Sequence, residues 1–129
     1  MARLLVVDDE PTLVLLMTTV LEKAGHSVES AENGKVALEK LGVQPENPGA
    51  DLPDLVLLDV MMPVLDGVGV ATALKGHPRA GKVPILIVTA KGDLRPLFEA
   101  MPQVAGFFQK PFTPASLREA VARAVAPRN

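Results

Sequence analysis

The chain is 129 residues long, which suits one hydrophobic core, because two would each be too small to be stable. Apolar residues make up 48% and charged residues 22%, which excludes a disordered segment; 13 Lys and Arg against 15 Asp and Glu leave a net charge of −2, with no basic cluster to track a phosphate backbone. With no cysteine, Trp or Tyr there are no disulfides, thiolate metal sites or large stacking platforms, and no apolar run is long enough to span a bilayer.

The first element is LLVV, Leu4 to Val7, a continuous apolar run that ends abruptly in Asp8, Asp9 and Glu10. Such a run reads as a strand buried on both faces of a parallel sheet. Leu13, Leu16, Met17, Val20, Leu21 and Ala24 then recur at spacings of three and four, a helical stripe with Pro11 in the first turn and Gly25 as the stop. SVES, Ser27 to Ser30, is more polar and suits an edge strand. A helix follows Asn33 (GKVALEKL) and closes at Gly42. The segment from Gly42 to Pro53, rich in Pro, Gly and Asn, reads as an extended loop.

LVLL, Leu55 to Leu58, is the next apolar strand, followed after Asp66 by a helix, GVGVATALK, closed by Gly76. ILIV, Ile85 to Val88, is another. The helix expected from about Leu94 carries Pro96 in its first turn and meets Pro102 after about two turns, so it should be short. GFFQ, Gly106 to Gln109, reads as a second edge strand. The last helix is opened by Thr113 as N-cap with Pro114 at the first helical position, and carries Leu117, Ala120, Val121, Ala124 and Val125 on one face. Strand and helix alternate five times, which calls for an α/β domain with a parallel sheet and helices on both faces.

In such a sheet the strands' C-terminal ends share one edge, and ligands bind there. The first strand ends at Asp8, Asp9 and Glu10, the third at Asp59, the fourth at Thr89 and the fifth at Lys110. Adjacent carboxylates repel unless a cation, a base or water lies between them. Asp8, Asp9 and Asp59 offer hard oxygen ligands without His or Cys, which favours Mg²⁺ held by few protein groups. One carboxylate could then act as a nucleophile toward phosphorus, with Lys110 and Thr89 binding the phosphoryl oxygens. Asp59 is the candidate, because it stands alone on its strand while Asp8 and Asp9 can hold the metal.

VVDDE, LLDVMMPVLDG, VTA and KPF stand together in an order and spacing that resemble the response regulator receiver domains of bacterial two-component signalling, over essentially the whole chain. The resemblance implies a flavodoxin-like (βα)5 three-layer sandwich with sheet order 2-1-3-4-5. It implies that Asp59 is the phosphoacceptor, that Asp9 coordinates Mg²⁺ directly with Asp8 in support, and that the backbone carbonyl of Met61 is the remaining protein ligand. Thr89 and Lys110 would bind the phosphoryl group, Thr89 and Phe107 would form the switch, and Lys110-Pro111 would be cis. The implied partners are a histidine kinase or histidine phosphotransfer protein and a downstream protein target, with no nucleic acid or membrane contact and room for a phosphorylation-dependent dimer. The expectation is a single receiver domain over residues 1–129, cytoplasmic, without an output domain, that modifies itself rather than turning over a substrate.

Plainer roles exist for the same residues. Asp9 could cap the first helix, Thr89 could reflect strand propensity, Lys110 could be a solvated loop lysine and Phe107 simply core. Met61 and Met62 fill gaps, and His26 and His77, without companions, are given no chemical role. The resemblance implies that the side chains two residues after the acceptor and two after the Thr influence water attack on the phosphoryl group; here Met61 cannot orient a water strongly, and Lys91 could lie over the phosphoryl group as a shielding cation. Slow self-dephosphorylation is therefore expected, accelerated in Met61→Asn. Val14, Leu15 and Thr18 form a second stripe on the first helix that could dock the phosphotransfer partner.

The competing readings are a receiver-like docking module that works without phosphorylation, a Mg²⁺-dependent aspartyl-phosphate phosphatase and a flavodoxin-like cofactor binder. The phosphatase usually needs an acid two residues after the nucleophile, where Met61 stands, and the cofactor binder needs Gly, Ser and Thr after the first strand, where acids stand.

Overall fold

In the computed structural model the described residues are 2–59, 67–75, 77–89, 103–109 and 112–125. Five parallel strands, β1 (Arg3–Val7), β2 (Ser27–Ala31), β3 (Leu55–Asp59), β4 (Ile85–Thr89) and β5 (Val104–Gln109), form one sheet in the order β2-β1-β3-β4-β5. The polar SVES run and the GFFQ run lie at the two edges, as expected, and β5 begins at Val104, two residues before that run. The apolar runs of β1, β3 and β4 occupy the centre, where strands are covered on both faces.

Alternate side chains divide this core in two. Leu5, Val7, Val56, Leu58, Ile85 and Ile87 pack with α2 (Gly34–Lys40) and α3 (Gly67–Leu74). Leu4, Val6, Leu55, Leu57, Leu86 and Val88 pack with α1 (Pro11–Lys23) and the C-terminal helix (Pro114–Val125). Each buried Leu or Ile contributes about 1.5 to 3 kcal/mol by leaving water, so the alternation holds each strand's register against a one-residue slip.

The helix ends follow their local chemistry. Pro11 lies in the first turn of α1, and Gly25 beyond its end takes φ 98°, a conformation that favours glycine. The Asn33 side chain caps α2 by accepting from the Val36 N–H at 2.9 Å. Before the C-terminal helix, Thr113 Oγ1 accepts from the Ser116 N–H at 3.1 Å while Ser116 Oγ accepts from the Thr113 N–H at 3.0 Å, a reciprocal cap.

The stripe on α1 is narrower than its spacing predicts. Met17, Val20 and Leu21 are buried, but Leu16 is 44% exposed and Ala24 lies beyond the helix as its C-cap. At 100° per residue Leu16 falls at the margin of the Met17–Leu21 face. The expected short helix near Leu94 and the Lys110-Pro111 bond lie outside the described residues.

The sheet's N-terminal edge is tied by polar contacts between connections. The Arg3 N–H donates to Asp54 Oδ2 at 2.8 Å and the Asp54 N–H returns to the Arg3 carbonyl at 2.7 Å. Buried Gln103 donates from Nε2 to the carbonyls of Val83 at 2.8 Å and Ala80 at 3.3 Å, linking the start of β5 to the approach to β4. His77 has a companion after all: its Nε2 lies 3.1 Å from both carboxylate oxygens of Glu46, which comes from the Gly42–Pro53 loop. That pair brings together residues 31 apart in sequence, beyond the reach of a local pattern. His26 Nδ1 accepts from the Ala2 N–H at 3.2 Å.

Candidate metal and phosphoryl site

The opposite edge gathers the acids. The Asp8 N–H donates to the Ala31 carbonyl at 3.1 Å, extending the β1-β2 ladder one residue past the strand. Its side chain turns back, and Oδ1 accepts from the Glu10 N–H at 3.0 Å. Asp59 is the last residue of β3, in register with Val88 of the neighbouring strand. Asp8 and Asp59 are 1% and 5% exposed, whereas Asp9 stands in solvent.

One carboxylate oxygen from each of Asp8, Asp9 and Asp59 lies within 4.8 Å of the other two. Three carboxylate charges at this spacing repel one another, and a divalent cation among them reverses the sign of that interaction. The donor set fits Mg²⁺: it is all oxygen, hard and anionic, and one acid remains open to water, as suits an ion that keeps part of its hydration.

The plainer account of Asp9 does not hold, because the N-cap of α1 is Glu10, and it makes no side-chain capping bond. Thr89 ends β4 with its backbone paired to Gln109 of β5, at the same edge as Asp59. Phe107 lies in register with Ile87 and is 38% exposed, so it is not simply a core residue. Met61, Met62, Lys91 and Lys110 lie outside the described residues.

Beside the acids, Pro11, Val14, Leu15, Thr18, Ser30, Ala31 and Glu32 join Asp8 and Asp9 around a depression of about 340 Å³. Val14 and Thr18 are half-buried and Leu15 is 67% exposed, so the second stripe of α1 borders the acid cluster. The contribution of Ser30 and Glu32 was not read from the sequence. Its signal was the register, which sets Val7 beside Ala31 and brings the end of β2 next to Asp8.

A doubly covered parallel sheet in this order, with three acids converging at its C-terminal edge, defines a class of phosphoacceptor signalling domain. Residues 4–122 match the response regulator receiver domain family, and the chain belongs to it. It is 41% identical over 93 residues to PilH of Pseudomonas aeruginosa, an alignment covering 70% of this chain and 69% of that protein. The fold matches chemotaxis protein CheY4 of Vibrio cholerae with a TM-score of 0.83 and 29% identity, covering 96% of this chain and 98% of the other. It also matches the receiver domain of a Pseudomonas aeruginosa sensor histidine kinase, described with a magnesium ion coordinated in its active site cleft, with TM-score 0.83, 23% identity and 98% of both chains covered. The chain spans less than half the length of several transcriptional regulators that it also resembles. It is a receiver domain of two-component signalling.

Proposed function

We propose that Asp59 is the residue that accepts the phosphoryl group, with Asp9 and Asp8 holding Mg²⁺ beside it. The observation that carries this is the convergence of the three carboxylates within 4.8 Å, with Asp59 buried at the end of its strand. Asp8 and Asp9 leave together from β1, so they can serve the metal while Asp59, arriving from β3, faces the donor. The family adds the Met61 backbone carbonyl to the ligand set. When bound, the ion neutralises charge on the carboxylates and the phosphoryl oxygens.

The donor is a phosphohistidine on a histidine kinase or phosphotransfer protein. A carboxylate oxygen of Asp59 bonds to phosphorus as the phosphorus–nitrogen bond breaks, and the electron pair leaves with the imidazole, which takes a proton from water. Thr89 and Lys110 bind the phosphoryl oxygens. The new charge then biases Thr89 and Phe107, and through them the surface offered to a downstream protein. The chain modifies itself and turns over no separate substrate, and its place is the cytoplasm; among the described residues no helix is long and apolar enough to cross a membrane.

Intact-mass analysis after incubation with acetyl phosphate and Mg²⁺ tests this reading. One added phosphoryl group is expected in the native chain, and none in Asp59→Asn or with a chelator. A folded native sample that gains no mass at any sampling time, including the shortest, would favour a docking module that works unphosphorylated.

A further inference from the structure

The segment between α2 and β3 is bonded mainly to itself. The Asn47 N–H donates to the Gly42 carbonyl at 2.9 Å, the Ala50 N–H to the Asn47 carbonyl at 3.1 Å and the Gly49 N–H to Asn47 Oδ1 at 3.1 Å. Gly42 turns the chain with φ 72°, and a Cβ there would lie 2.5 Å from the Asn47 carbonyl oxygen, so this closure requires glycine. Residues 44–49 are exposed, while Val43 and Leu52 at the two ends rest against the core beneath α2 and α3.

What fastens the middle of this segment comes from one other connection, between α3 and β4. The Arg79 guanidinium donates to the carbonyls of Asn47 at 3.4 Å, Pro48 at 2.5 Å and Ala50 at 2.8 Å. His77 Nε2 faces the Glu46 carboxylate at 3.1 Å. The ring's other nitrogen accepts from the N–H groups of Arg79 at 3.2 Å and Ala80 at 3.0 Å. Nδ1 therefore carries a lone pair and Nε2 the hydrogen that points at Glu46. Two side chains, two residues apart in sequence, grip the middle of a segment whose other bonds are local, save one at its end, where the Arg3 guanidinium donates to the Leu52 carbonyl at 3.5 Å.

We propose that residues 43–53 form a strap that opens as one unit, with His77 and Arg79 as its latch. Releasing the latch breaks no rung of the sheet, because every strand pairing lies elsewhere. Opening uncovers the apolar ends at Val43 and Leu52 and leaves the acid cluster, at the far ends of the strands, in place.

Residue-resolved amide hydrogen exchange on the whole chain tests this. Arg79→Lys keeps the charge, but one ammonium cannot span three carbonyls. In this variant the Asn47 and Ala50 amides are expected to exchange about tenfold faster or more, the scale of a lost charged hydrogen-bond set, while Leu57 and Ile87 in the sheet stay within about twofold. Glu46→Ala, which frees only the His77 side of the latch, should give a smaller change in the same two amides. Strap amides that do not respond to Arg79→Lys, or strap and strand amides that accelerate together, would overturn the proposal.

Discussion

The two edges of the sheet treat charge in opposite ways. At the N-terminal edge each charged side chain named above meets a hydrogen-bonding partner: Arg3 with the Leu52 carbonyl, Asp54 with the Arg3 N–H, Glu46 with His77 Nε2, and Arg79 with three carbonyls. At the C-terminal edge three carboxylates are brought within 4.8 Å, two of them buried. One sequence thus offsets charge at one end of its strands and concentrates like charge at the other. The first arrangement joins connections and stabilises the fold; the second carries a cost in the free domain that a bound cation relieves. Strained electrostatics mark the functional end.

The contrast breaks most completely at Asp59. Asp59→Asn is expected to abolish phosphoryl uptake and to remove most of the stabilisation that Mg²⁺ confers; in the native chain that stabilisation is about 2.7 kcal/mol at a concentration 100 times Kd, read as a shift in thermal unfolding. Next in size is a substitution that spares both edges. Leu57, 1% exposed between them, should cost about 2 to 5 kcal/mol when replaced by Ala in urea unfolding. Its loss should weaken the domain without changing phosphoryl uptake in the fraction that remains folded.

The depression beside the acids sharpens the picture of the functional edge. Val14 is half-buried against the core, so Val14→Glu would also disturb packing, whereas Leu15 is 67% exposed. Leu15→Glu is therefore the cleaner variant, expected to slow transfer from a protein donor by about tenfold, a typical loss of about 1.4 kcal/mol at an interface position, with acetyl phosphate unaffected. Equal rates with both donors, compared with the native chain, would remove α1 from the docking surface. The smallest effect is on the free domain: Asp9→Asn in the presence of chelator should raise stability by about 1 kcal/mol, the Coulomb scale for a charge pair in water, and a drop in the unfolding midpoint would contradict the account of mutual repulsion.

Much of this was legible in the residue order. The runs at Leu4, Leu55 and Ile85 are apolar on both faces, and that alone distinguishes central strands from the edge strands at Ser27 and Gly106. Asp8, Asp9 and Asp59 could be brought together before any coordinates, because parallel strands must end at a common edge. Less was visible where contacts depend on the reach of a side chain across a loop. His77 looked solitary because its partner Glu46 lies in a segment without periodicity, and Arg79 gave no sign of gripping three carbonyls. Leu16 satisfied helical spacing yet stands at the margin of the buried face, since periodicity fixes a direction but not how far the neighbouring helix extends over it.

The most direct test of the central claim is to locate the phosphoryl group. Reducing the phosphorylated chain with borohydride converts an acyl phosphate to the alcohol, and peptide mass mapping then reports the position. Homoserine at position 59 alone is the predicted result; modification at Asp8 or Asp9, or unmodified Asp59 in a chain that carries the phosphoryl mass, would contradict it.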